Sequence, residues 1–200
     1  MIESKGKKIL IDPGSLKSDE EIIQKWMHPD FILVTHKHYD HFDENAVSKI
    51  ITNKTIIYAT SETAKEYPNT KFEIVKERDE FNLGEVKAEA VKAVHGGGAV
   101  KEEVGYILAI EGKKLYHTGD TVSFTNNYNC NIICLPFNNK GFFLSPTEAA
   151  LFAKSTGAET VIPIHFDNPD LPADKSKLKF ELEKNKIKCK FLEIGESIEI

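Results

Sequence analysis

The chain has 200 residues, 40% of them apolar and 28% charged. At roughly 150 residues per domain this is one domain, with the balance of a globular rather than a disordered protein. Lys plus Arg number 26 and Asp plus Glu 31, a formal net charge of -5, so the overall positive field of a nucleic-acid binder is missing. No apolar run reaches the ~18 to 20 residues that cross a bilayer, and the opening MIESKGKKILIDPG has no apolar stretch of signal-peptide length. The expectation is a cytoplasmic protein with no membrane or nucleic-acid partner. Cys130, Cys134 and Cys189 are too few and too scattered for a disulfide framework and are expected to be reduced. No second Cys/His pair near Cys130 and Cys134 completes a structural zinc site.

Strand-like and helix-like runs alternate along the chain. Lys7–Asp12 reads as a strand closed by Pro13-Gly14, and Asp19–Met27 as a helix with Ile22, Ile23 and Trp26 on one face. Phe31–Thr35 is a continuous apolar run, as expected of a strand buried on both sides. Asp43 caps a helix that carries Ala46, Val47, Ile50 and Ile51 at helical spacing, followed by a strand at Thr55–Ala59 and a short helix from Ser61. Val86, Ala88 and Ala90 alternate with Lys87 and Glu89, the period of a half-covered strand, and the alternation slips near Val91. Gly105–Ile110 and Lys114–His117 form an expected hairpin around Glu111-Gly112-Lys113, and Ile132–Leu135 is a further buried strand. Ser145-Pro146-Thr147-Glu148 combines a cap, Pro at the first helical position and Glu three residues after the cap. Gly157 stops that helix, Thr160–Ile164 is a strand ending at His165, and a Lys-rich helix over 174–185 leads to two final strands. The pattern predicts an α/β protein with two sheets sandwiched by helices, in a single domain over 1–200.

Histidine placement carries the chemistry. His36, His38 and His41 fall within six residues, in Thr35-His36-Lys37-His38-Tyr39-Asp40-His41, after a buried strand and before a helix. That is the strand end where open α/β sheets place their ligands. Imidazoles and a carboxylate suit zinc, manganese or iron. His36 and His38, two apart, can point the same way, while Asp40 and His41 can face a second ion. Two ions roughly 3.5–4 Å apart account most economically for so many donors in one loop. His95, running into Gly96-Gly97-Gly98, and Asp120 in Thr118-Gly119-Asp120-Thr121 occupy similar strand-end positions, as does His165.

This set resembles the metallo-β-lactamase superfamily, whose four-layer αββα fold carries an H-x-H-x-D-H loop followed by His, Asp and His. The resemblance implies that His36, His38 and His95 bind one metal, that Asp40, His41 and His165 bind the second, and that Asp120 bridges them. It gives Asp40, Asp120 and His165 the catalytic roles, and matches Asp12 to an early Asp that supports the site. Tyr-His-Thr-Gly-Asp-Thr around Asp120, Ser-Pro-Thr-Glu-Ala-Ala and Val-Ile-Pro-Ile-His also resemble the small bacterial hydrolases related to ascorbate-6-phosphate lactonase. Lys37 and Tyr39 depart from the small residues common in that loop, and 137–141 matches no named substrate pattern. Diiron oxygen-reducing relatives usually carry Glu where this chain has His38, which disfavours a redox role.

The implied function is a hydrolase with two divalent ions, zinc first and manganese or iron as alternatives. A metal-bridging hydroxide would cleave a small lactone, ester or phosphodiester. A nuclease of the same superfamily is an alternative, opposed by the net charge, and a non-catalytic metal-binding relative is another. His117 stays open between a supporting and a substrate-facing role, and His28 reads as a helix-end residue. Gly96–Gly98 lacks the lysine pattern of a phosphate loop and is expected to let the backbone pass close to the metals. Lys37, Tyr39, Asn138, Asn139, Lys140 and Phe166 are candidate rim residues. Lys175, Lys177 and Lys179 read as a solvated helix face.

Overall fold

The structure, a computed structural model, describes residues 1–14, 20–123, 128–138, 142–168 and 172–199. It divides into two compact units, Met1–Val91 with Val100–Val104, and Lys92–Ala99 with Gly105–Ile200.

In the first unit, β1 (Ile2–Ser4) and β2 (Lys7–Ile11) form an antiparallel hairpin. Its two turn residues, Lys5 and Gly6, have φ of 49° and 71°, the left-handed pair that matches the twist of paired strands. Then come α1 (Glu20–Lys25), β3 (Phe31–Leu33), α2 (Glu44–Ile50), β4 (Ile56–Ala59), α3 (Ser61–Glu66) and β5 (Glu73–Ile74). The sheet order is β1-β2-β3-β4-β5, with β2 to β5 parallel. A hairpin of β6 (Glu80–Leu83) and β7 (Val86–Lys92) turns at Gly84. Strand β3 is buried throughout, as a central parallel strand must be. Leu10, Ile32, Val34, Phe42, Val47, Ile50 and Ile57 form the core, with Ile23 from α1 and with Trp26 against it. The side chain of Ile22 lies outside what is described. Asp43 caps α2 as expected, its carboxylate accepting from the N–H groups of Asn45 and Ala46.

In the second unit, β8 (Val104–Ile110) pairs antiparallel with β9 (Lys113–His117) across Glu111 and Gly112, whose φ values are 49° and 85°. Next are β10 (Ile132–Pro136), α4 (Pro146–Ser155), β11 (Thr160–Ile164), α5 (Lys175–Lys184) and β12 (Lys188–Cys189). The order is β12-β11-β10-β9-β8, with β9 to β12 parallel. Tyr116 meets Phe152 of α4 edge to face, and Leu178 and Leu182 of α5 are buried. The cysteines are free; Cys134 lies within β10, where burial pushes its thiol up to about 12.

The elements are those of an α/β protein, with boundaries within a residue or two of expectation. Three short strands, β1, β5 and β6, fall where no strand was expected. One final strand, β12, is found among the described residues instead of two. Beyond it Gly195 takes φ 83° and Glu196 N–H bonds to Glu193 O, a turn that ends the extended run. No helix among the described residues is long and apolar enough to cross a membrane.

Helix α4 starts with a full capping box, in which Ser145 Oγ accepts from Glu148 N–H and the Glu148 carboxylate accepts from Ser145 N–H. Ser145→Ala is expected to lower stability by about 1 kcal/mol in urea unfolding; an unchanged midpoint would show that the cap adds nothing.

Candidate metal centre

The first unit supplies four of the seven candidate ligands on the loop after β3. Strand β3 delivers Thr35 and His36, both fully buried, at the C-terminal edge of the parallel strands. The loop closes on itself, because the N–H groups of His41 and Phe42 both donate to His38 O at 2.9 Å. Gly14 lies against the Asp40 backbone so closely that a Cβ would occupy the Asp40 carbonyl, which requires glycine there. Tyr67 Oη–H donates to Lys37 O.

Asp12, at the end of β2 with φ 48°, orients this loop. Its carboxylate accepts from Thr35 N–H and Thr35 Oγ1–H, each at 2.8 Å, and from His41 Nδ1 at 2.8 Å. His41 is thereby held with Nε2 turned toward Asp40, whose Oδ2 lies 3.9 Å from it. His36 Nδ1 is 3.0 Å from Thr35 Oγ1, which leaves Nε2 as its donor atom. His36 Nε2 and His38 Nδ1 approach to 3.1 Å. Two nitrogens bound to one tetrahedral ion at ~2.0–2.1 Å lie roughly 3.3 Å apart, so the pair fits a shared cation.

The second unit supplies the other three. His95 and Thr121 form an isolated bridge, and Val94 N–H donates to Thr121 Oγ1. These contacts lace the loop after β7 to the loop after β9. His95 Nδ1 faces the Gly96 carbonyl, and its Nε2 is turned toward Asp120. The two carboxylate oxygens of Asp120 go to different histidines, Oδ1 to His165 Nε2 at 3.0 Å and Oδ2 to His95 Nε2 at 3.9 Å. His165 ends β11 with φ 55°, in the left-handed region that non-glycine residues seldom adopt, and the Phe143 ring lies 4.9 Å from its own. Within the first unit His36, His38, Asp40 and His41 stand together on one loop, and within the second Asp120 meets both His95 and His165.

Other expected site residues fare differently. Lys37 is an ion-pair partner, with Nζ 2.9 Å from Glu62 Oε1. Tyr39 is exposed, as a rim residue should be. Asn138 is fully buried, its N–H bonded to Leu144 O, so it is no rim residue; Asn139 and Lys140 lie outside the described residues. Phe166 sits under Lys175 Nζ at 4.2 Å, so Lys175 covers an aromatic ring as well as facing solvent. His117 Nδ1 accepts from Gly119 N–H at 3.3 Å, a contact that supports the turn into Asp120. His28 follows α1 with φ 57°. Gly97 and Gly98 have positive φ and open space around them, so conformation rather than close approach accounts for these glycines. Glu103, Glu62 and Phe143 escaped the sequence reading, although Glu103 does stand in an acidic pair directly before an apolar strand.

Residues 1–165 match the family model described as a beta-lactamase superfamily domain, and the chain belongs to the metallo-β-lactamase superfamily. A UPF0173 metal-dependent hydrolase of Bacillus cereus is 32% identical, over 98% of this chain and 94% of the relative. The protein is thus a metal-dependent hydrolase of that superfamily. Among solved structures, a metallo hydrolase from the archaeon Ignicoccus hospitalis has a TM-score of 0.81 at 22% identity, covering 98% of this chain and 91% of that one. CmlA, a diiron β-hydroxylase from Streptomyces venezuelae, has a TM-score of 0.73 at 10% identity, covering 96% of this chain and 50% of that one. These two likenesses bear on the fold.

The Lys37–Glu62 pair carries a pH prediction. Burial acts to raise the Glu62 carboxyl, but the Lys37 ammonium and the N–H groups of Glu102 and Lys101 outweigh it and hold the group down to about 2. A carboxyl depressed in the folded state stabilises the fold fully above its ordinary value near 4.5, and that stabilisation fades as pH falls toward 2. Glu62→Gln is expected to cost about 1–3 kcal/mol at pH 7, with the gap to wild type narrowing below pH ~4.5 in chemical denaturation. A gap independent of pH would contradict this.

Proposed function

We propose that this hydrolase works with two divalent ions, His36, His38 and His95 binding one, Asp40, His41 and His165 the other, and Asp120 both. The observation that carries the reading is the partition of ring nitrogens. His36, His41 and His95 each have Nδ1 turned to a protein oxygen and Nε2 turned toward another candidate ligand, His38, Asp40 and Asp120 in turn. In His38 it is Nδ1 that turns toward the Nε2 of His36. Such fixed orientation is what metal-binding histidines require. Residues 1–165, the span of the family match, contain all seven.

When bound, a pair of such ions supplies Lewis acidity and brings the ionisation of water toward neutral pH. The protein's part is to hold and orient. Asp12 fixes His41 and, through Thr35, the start of the ligand loop. By the family resemblance, Asp120, Asp40 and His165 are the groups that would meet a water or a leaving group and hold its proton. The substrate class proposed is a small lactone, ester or phosphodiester, supported by the resemblance to ascorbate-6-phosphate lactonase relatives. Zinc is the proposed metal, from the predominance of imidazole donors.

Elemental analysis of protein purified without chelator is expected to find about two equivalents of metal, with Asp120→Ala retaining less. Hydrolysis across a lactone, ester and phosphodiester panel should fall by ~10²-fold or more in His36→Ala and Asp120→Ala while both remain folded. Undiminished turnover in either variant would sink the assignment.

A further inference from the structure

A carboxylate outside the seven ligands lies against the most buried of them. Glu103 Oε1 is 3.5 Å from His36 Nδ1, with the two side chains 1% and 0% exposed. A carboxylate held away from water costs several kcal/mol unless a positive or hydrogen-bonding partner answers it. Replacing it by an apolar side chain would serve packing alone better.

The backbone around Glu103 is fastened on both sides. Glu62 Oε2 accepts from Lys101 N–H at 2.8 Å and Glu102 N–H at 2.9 Å, and Val104 N–H donates to Thr35 O at 3.1 Å. The second tie falls on the carbonyl immediately before His36. Glu62 also binds Lys37, immediately after His36. The segment bearing Glu103 and the loop bearing His36 are thus held together on either side of the carboxylate–imidazole contact.

Two oxygens face His36 Nδ1. Thr35 Oγ1, at 3.0 Å, gives its proton to Asp12 and so accepts from the ring. Glu103 adds the negative charge. A cation at Nε2 makes the opposite N–H more positive, and a carboxylate answers that charge better than a hydroxyl does.

We propose that Glu103 is a positioning residue, whose carboxylate holds His36 with Nε2 presented to the metal and so raises metal affinity. The inference rests on the reading of His36 as a ligand. It is tested by titrating metal-free wild type, Glu103→Ala, Glu103→Gln and His36→Ala with zinc against a chromophoric chelator, alongside thermal unfolding of each metal-free protein. Glu103→Ala is expected to bind zinc ~10–100-fold more weakly than wild type. Glu103→Gln, which keeps an acceptor oxygen without the charge, should fall between them. Metal-free Glu103→Ala should show no matching fall in melting temperature. Wild-type zinc affinity in Glu103→Ala, with His36→Ala still impaired, would overturn the inference and leave the ligand assignment standing. Zinc binding unaffected by His36→Ala, or absent from the wild type, would overturn both. If Glu103→Ala does not fold, Glu103→Gln decides, weaker binding supporting the inference and wild-type binding overturning it.

Discussion

The carboxylate of Asp12 is the interaction on which the ligand loop depends. From the end of β2 it accepts two hydrogen bonds from Thr35 and one from His41. A single buried group thereby joins the ends of two parallel strands to both ends of the six-residue cluster. Its backbone has φ 48°, a conformation costing of order 1–3 kcal/mol for such a residue and persisting where surrounding contacts impose it. The neighbouring Gly14 leaves room for the Asp40 backbone, so the turn after β2 shapes the loop sterically as well as electrostatically.

The same device recurs at three of the candidate histidines. A ring nitrogen bonded to a fixed oxygen has its tautomer and plane decided before any cation arrives, which lowers the reorganisation that binding requires. Thr35 serves His36, Asp12 serves His41 and the Gly96 carbonyl serves His95. In the second unit His165 adopts φ 55°, so that a second candidate residue is held in sparsely populated backbone space. Asp12 and His165 both follow strands, where the regular ladder ends and hydrogen bonds can be traded for orientation.

Features set by local chemistry were legible in the sequence. The candidate loop stood out because three histidines and an aspartate within six residues have few other uses. The α4 capping box could be read because it needs only residues three apart, and the turn at Glu111-Gly112 because its left-handed φ favours glycine. Features set by packing were not. Glu103 becomes meaningful only because Val104 and Glu62 bring its segment to His36, contacts between residues about 40 to 70 positions apart. Asn138 looked like a polar loop residue but is buried, with its N–H bonded to Leu144 O. The division into two units passes through strand-bearing sequence, with no linker composition to mark it.

The central claim is that these side chains bind two ions. Anomalous X-ray scattering at the zinc, manganese and iron edges, from crystals grown without chelator, would locate each ion and identify its element. Two peaks are predicted, one contacting His36 Nε2 and His38 Nδ1, the other His41 Nε2, with Asp120 touching both. A single peak, or peaks remote from His36 and Asp120 in fully metal-loaded protein, would contradict it.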